Sequence, residues 1–426
     1  MNSQIVRGVQ VKTIQTDQFK NNTIIINFSI PSHYANFPKL ALLADLLENA
    51  SNKYPGELLV SRKLSELYGA SYGVTVLRYG DQHTLRVRLT LPDDQYVSGN
   101  PDLMAQGFAF LKEMIENPFQ RDGAFDADYF RIHQTNLSHY LASIPDNKEF
   151  YATLKLQALY YGKDRDHGSY LLGDAESINA LDPKGLFSFY QTFMAQARIV
   201  ILVAGKIDSQ SVLTLARQFS FANQPRQTEL GLFVKARESD TVVTGRDQFA
   251  GSQSILELGY RLPIYFGSDQ YFAAMVFDQL FGVSTRSLLF TNVREKASLA
   301  YDIHSSYNSL AGMLTVQAGI DPQNLEKVSK TIAEQLHQAA GGHYSDDLLA
   351  GVKRSMIDQH RSQSDYLATV VERRYFAEIS GIDISDEQWE DSVNRISKAD
   401  ISKVADQVDI QAEYVLESQE AADEDD

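Results

Sequence analysis

The chain has 426 residues, 43% of them hydrophobic and 22% charged, the composition of a soluble protein with two to three domains. Its 39 basic and 55 acidic residues leave a formal charge of −16, so no basic surplus exists to neutralise a nucleic-acid backbone. There is no cysteine, which excludes disulfides, thiolate chemistry and Cys-ligated zinc or iron–sulfur sites. No apolar run approaches the ~18–20 residues of a membrane span, and the N-terminal MNSQIVRGVQVKT has no apolar signal region. A cytoplasmic location is expected, with no nucleic acid and no membrane among the partners.

Apolar alternation predicts a strand at Thr23–Ile30, ended by Pro31-Ser32. A helix follows over Phe37–Asn49, with Asn36 placed to cap it and Pro38 in its first turn. A short amphipathic helix (SRKLSELYG) leads to two strands, YGVTVLRYG and HTLRVRLTL, joined by the Gly80-Asp81 turn. A long helix then runs from about Leu103 to Asn117.

The same order recurs 229 residues later: strand Gln253–Leu262, helix Tyr271–Phe281, SLLFTNVREKASLAY, then strands YDIHSSYNS and GMLTVQAGI. Tyr72 matches Tyr301, Leu85 matches Leu314 and Val87 matches Val316 at that single offset. A cap, a helix and a closing strand also recur, INALDPKGLFSFYQTF with ARIVILVAG and VNRISKADISKVADQV with AEYVLES. Such a period means duplication of a domain and not a solenoid. The expected fold class is α+β, two duplicated domains, each a mostly antiparallel sheet with helices packed on one face. The boundaries read as 1–221, a polar linker at 222–248 with a short strand near Leu232–Lys235, 249–416, and an acidic tail at 417–426.

FPKLALLADLLEN is apolar nearly all round, the pattern of a buried helix. Its polar residues Asp45, Glu48 and Asn49 share one face at i, i+3, i+4. That stripe either meets solvent at the helix end or lines a site. Asp45-Leu46-Leu47-Glu48-Asn49 has the frame of the His-x-x-Glu-His zinc motif, with Glu in place and both His replaced. With the duplication and the strand-then-helix entry, the chain resembles the pitrilysin/insulinase family of inverzincin metallopeptidases over essentially its full length.

The resemblance implies a third metal ligand, a Glu, on a later helix. The matching stretch is FDADYFRIHQTNLSHYL, where Asn136 stands nearest and no acid lies between Tyr129 and Tyr140. Asp45, Asn49 and Asn136 make a poor zinc set. Glu48, the base by resemblance, then lacks a metal-bound water to deprotonate. No metal, cofactor or catalytic residue is expected on this chain. All nine His read as ordinary, since none pair at i,i+3 or i,i+4.

The stretch 284–321 resembles the family's second-domain signature, in which an Arg and a Tyr seven residues apart hold substrate across the chamber. Arg294 and Tyr301 stand at that spacing, and guanidinium and phenol donors suit peptide carbonyls. Residue types alone also allow an exposed Arg with local ion pairs followed by a strand-start Tyr. Gly69-Ala70-Ser71-Tyr72-Gly73 fits G-x-S-x-G but runs helix–turn–strand, the wrong order for a nucleophile elbow.

The resemblance implies a non-catalytic subunit that pairs with a zinc-bearing relative, zinc lying on the partner chain, and helps to bind a peptide or protein substrate. Within the family the chain resembles zinc-less members associated with 5-aminopentanol modification of elongation factor P in bacteria. The rival expectations are a scaffold with no clamp, and an independent enzyme, either a peptidase with a rebuilt metal site or a hydrolase using Ser71.

Overall fold

A computed structural model describes residues 2–99, 101–226 and 229–419. The chain opens with β1 (Asn2–Val6), β2 (Val9–Gln15) and β3 (Asn21–Pro31), then α1 (Phe37–Asn49) and α2 (Glu57–Glu66). The hairpin β4 (Ser71–Tyr79) and β5 (Gln82–Pro92) precedes α3 (Leu103–Glu116), α4 (Ala127–Ala142) and α5 (Lys148–Tyr161). Helix α6 (Pro183–Gln196), β6 (Arg198–Gly205) and α7 (Ser209–Ala216) follow. The second half holds β7 (Val243–Ala250), β8 (Ser254–Arg261), α8 (Tyr271–Asp278), β9 (Ala300–Asn308) and β10 (Met313–Ile320). It ends with α9 (Leu325–Ala340), α10 (Asp346–Gln363), α11 (Leu367–Ser380), α12 (Asp386–Arg395), α13 (Lys398–Ala405) and β11 (Asp409–Gln419).

These elements form two compact units. One comprises Met1–Ala142, Tyr170–Leu232 and Tyr366–Ser380; the other Ser143–Ser169, Phe233–Asp365 and Gly381–Asp426. Each unit thus takes one helical segment from the opposite half of the sequence, α11 in unit 1 and α5 in unit 2.

Unit 1 holds a sheet in the order β1-β2-β6-β3-β5-β4, antiparallel except for the β2–β6 pair. Strand alternation decides what each face meets. Ile24, Ile26 and Phe28 are fully buried, and α3 brings Gly107 against Ile24, Leu89 and Leu91, where a Cβ would clash. Ser29, next along the strand, turns the other way and shares a hydrogen bond with Tyr375 of α11 at 3.1 Å. That side is polar. Arg86 donates to Glu372 at 2.6 Å and Arg198 to Glu378 at 3.1 Å.

Unit 2 has five strands in the order β9-β10-β8-β11-β7, again mostly antiparallel, with β7 parallel to β11. Leu256, Leu258 and Tyr260 pack with α8, α9 and α13 in the main core. The opposite face, with Ile255, Ala412, Tyr414 and Leu416, packs on Ala152, Leu156 and Tyr160 of α5. The α+β class and the two sheet-rich halves agree with the expectation. The exchanged helices add cover on the sheet face away from the main helical layer.

Local details depart from the sequence reading. Leu232–Lys235 has no regular secondary structure and forms no strand; the strand of this region is β7, on the sheet edge. Asn36 makes no side-chain cap, because a 3-10 turn at Tyr34–Asn36 runs straight into α1 and the Phe37 N–H donates to the Tyr34 carbonyl. Helix α8 stops at Asp278 and opens into a wider π-type coil over Gln279–Val283. The final strand continues through Glu417–Gln419; the rest of the acidic tail lies outside the described residues.

Candidate functional site

Helix α1 buries Phe37, Pro38, Leu40–Ala44, Leu46 and Leu47. Apart from Lys39, the residues left are Asp45, Glu48 and Asn49, all half-buried on one face. Half-burial makes hydrogen bonding obligatory, since an unmet buried polar group costs about 1–3 kcal/mol. Every one of the three is bonded. Asn49 Nδ2 donates to the Asp45 carbonyl at 2.9 Å and to Asp45 Oδ1 at 3.2 Å. Glu48 Oε2 accepts the Val74 N–H of β4 at 3.1 Å.

The other oxygen of Asp45 reaches α4. Asp45 Oδ2 lies 2.8 Å from His133 Nδ1, and His133 is 5% exposed. A carboxylate only accepts, so Nδ1 carries the proton. The Tyr129 ring lies over the imidazole at 4.3 Å between centroids. Tyr129 also donates to the Leu46 carbonyl at 3.3 Å, and Tyr72 of β4 donates to that of Leu47 at 3.0 Å. Burial pushes the Glu48 carboxyl up; the Val74 N–H works against this and Asp45 adds to it. Burial, then Glu48 and Tyr129, raise the Tyr72 phenol. Burial, then Asp45, Glu57 and Glu48, raise that of Tyr129. Both phenols therefore stay protonated and donating.

The structure brings Asp45, Glu48 and Asn49 together but not Asn136, which is exposed one helical turn beyond His133. His133 is the residue that sequence spacing missed. Its partner is 88 positions away, and no periodicity within one helix reports such a pair.

Zinc does not fit this set. Both Asp45 oxygens and His133 Nδ1 are spent on each other and on Asn49, and the remaining positions offer amides, weak zinc donors. Among the described residues, no group of three or more His, Asp or Glu is arranged to hold a metal ion. Hydrogen bonds tie α1 to α4 here. Besides each other, Asp45 bonds Asn49 and His133 packs against the Tyr129 ring. Ser71 is an exposed residue at the start of β4, after a helix and a turn, not at an elbow.

In unit 2, Arg294 lies on a π-type coil at Phe290–Lys296, anchored by buried Val293 and by Asn292, which donates to Gln335 at 2.6 Å. Arg294 is exposed, its guanidinium 4.7 Å from the Phe290 ring centre. Tyr301, second residue of β9, is 60% exposed. Neither side chain is committed to a structural hydrogen bond.

Comparison with known proteins agrees with this geometry. Residues 180–356 match the family described as Peptidase M16 inactive domain. The chain is 27% identical over 419 residues to the probable inactive metalloprotease YmfF of Bacillus subtilis (strain 168), covering 97% of each. The chain is thus similar to the M16 peptidase inactive domain over residues 180–356 and to a probable inactive metalloprotease over its whole length. A second relative, the uncharacterized zinc protease YmxG of the same organism, is 27% identical over 169 residues, 39% of this chain and 40% of that one. A crystal structure of a conserved protein from Enterococcus faecalis V583 superposes with a TM-score of 0.95 at 30% identity, covering 99% of both chains. The bonded Asp45–His133 pair stands in a chain that is like the probable inactive metalloprotease over 97% of its length.

Proposed function

We propose that this chain is a non-catalytic M16 subunit that pairs with a zinc-bearing relative and helps to hold a peptide or protein substrate through Arg294 and Tyr301. One contrast carries the reading. The ligand positions on α1 are spent on internal hydrogen bonds, while the clamp residues are exposed and uncommitted. An exposed Arg fork and phenol suit peptide carbonyls and carboxylates. The full-length likeness to an inactive metalloprotease and the partial likeness to a zinc protease support a division of labour between two M16 chains. The narrower reading we propose is a role in 5-aminopentanol modification of elongation factor P, in the cytoplasm.

The test is purification of the protein from its own cell, followed by reconstitution with the M16 chain that accompanies it. Arg294→Ala with Tyr301→Ala is expected to lower the pair's peptidase activity at least tenfold. Unchanged activity sinks the clamp and favours a scaffold. Stoichiometric zinc in the purified chain sinks the non-catalytic role. Normal modification of elongation factor P in a deletion strain removes the narrower assignment.

A further inference from the structure

Strand β9 carries an irregularity that β4 lacks. The β4–β5 ladder runs without a break from the Ser71–Thr90 pair to the Tyr79–Gln82 pair. In unit 2, Ala300 stands opposite Ile320 and Asp302 opposite Gly319, so Tyr301 is an extra residue between them. Such a bulge bends the strand and re-aims a side chain. Ala300 and Ile303 are both buried in the main core. Tyr301 and Asp302, between them, are both exposed. A regular strand would put one of the two inside.

The extra residue is what turns the phenol out. Four residues separate Asn308 from Met313, where two separate Tyr79 from Gln82. That longer loop shifts β9 by an even step, which alone would leave Tyr301 opposite Ile320 on the core face. The bulge gives this place to Ala300 instead.

Asp302 stands, through Gly319, level with Ile255 on the face that α5 covers at β8 and β11. At β9 that face is open. The Asp302 side chain is 56% exposed, and His304 on the same face is 48% exposed, its Nδ1 3.4 Å from Asp302 Oδ2. This is longer than a hydrogen bond. Gly319, opposite Asp302, has no side chain, and the Gln253 amide fills that space, 1.9 Å from where a Cβ would stand. A phenol, a carboxylate and a carboxamide therefore line one stretch of open sheet face.

A carboxylate only accepts, and its strongest partners are ammonium and guanidinium groups. The formal charge of −16 draws cations toward the chain. We propose, building on the clamp reading, that the bulge creates a subsite beside Tyr301 in which Asp302 takes a lysine or arginine side chain of the peptide whose carbonyl Tyr301 holds. Tyr301 fixes the main chain, and Asp302 selects the residue.

The test uses the full chain and an immobilised library of ten-residue peptides with one position fixed in turn. The wild type is expected to retain Lys and Arg at one position at least fivefold over their neutral counterparts norleucine and citrulline. Asp302→Asn should remove that preference, and Asp302→Lys should reverse it towards Asp and Glu. Both changes lie on an exposed side chain, and an unfolding midpoint confirms the fold of each variant. A wild type with no cationic preference overturns the proposal, and so does a preference that survives Asp302→Asn. Arg294→Ala with Tyr301→Ala should weaken capture of all peptides alike. If capture survives that double change while Asp302→Asn still removes the preference, the clamp is gone and the cation subsite stands.

Discussion

Helices α1 and α8 occupy the same place in the duplicated halves, yet they treat the polar frame in opposite ways. At the 229-residue offset, Asp45, Glu48 and Asn49 correspond to Ala274, Phe277 and Asp278. Ala274 and Phe277 are fully buried in the unit 2 core. The fold therefore accepts apolar side chains at two of the three positions. The polarity of α1 is not something the helix needs in order to pack. Its strand partners invert the contrast: Tyr72 is bonded to α1, whereas its counterpart Tyr301 is 60% exposed. One copy has turned its site inward, and the other has left its polar residues outside.

The largest effect should come from breaking the tie on α1. His133→Ala removes a buried ring and leaves Asp45 half-buried without its donor. About 3 kcal/mol of stability should be lost, read by denaturant unfolding. Asp45→Leu with His133→Leu removes both partners and should regain most of it, within about 1 kcal/mol of wild type. Recovery of that kind would show that unit 1 could have packed as unit 2 does. A silent His133→Ala would mean the tie is not structural, and the comparison would fail.

The next test concerns the one position polar in both copies. Burial pushes the Asp278 carboxyl up from 3.8 to about 6, against the pull of Ser305, the Tyr307 N–H and His304. The folded state thus favours the protonated acid. That stabilisation is complete below 3.8 and is lost as pH rises through about 6. Asp278→Asn should be the more stable protein at pH 8, by up to about 3 kcal/mol, and should lose that advantage at pH 4. Thermal melts at the two pH values decide. A gap independent of pH would remove the buried carboxyl as its cause.

The two copies were also unequally legible. Helix α1 has the bounds Phe37–Asn49 expected from its apolar run and Pro38, although the Asn36 cap is not made, and the β4–β5 hairpin follows from alternation around Gly80-Asp81. These are local signals. β2 escaped although VQVKTIQ alternates as a half-buried strand does; it is completed only by β6, about 190 residues later in the chain. β7 escaped for the same reason, as an edge strand against the last strand of the chain. The exchange of α5 and α11 leaves no mark on periodicity, because an amphipathic helix does not state which sheet it will cover. At the site, the polar stripe was visible, but its partners His133 and Val74 lie on other elements.

The smallest effect gives the most direct comparison, because it removes the same atom from both copies. Tyr72→Phe deletes the hydroxyl that donates to the Leu47 carbonyl at 3.0 Å. The carbonyl of buried Leu47 loses its donor, so about 1 kcal/mol should go. Tyr301→Phe deletes a solvent-exposed hydroxyl with no structural bond, and its effect should stay within about 0.5 kcal/mol. Unfolding midpoints at one pH resolve the difference, because both substitutions preserve ring and volume. Equal losses would mean that Tyr301 is structurally committed, and the exposed clamp would be gone. A loss confined to Tyr72 leaves Tyr301 as a side chain that folding does not use, and the reason for keeping it must then be sought in binding.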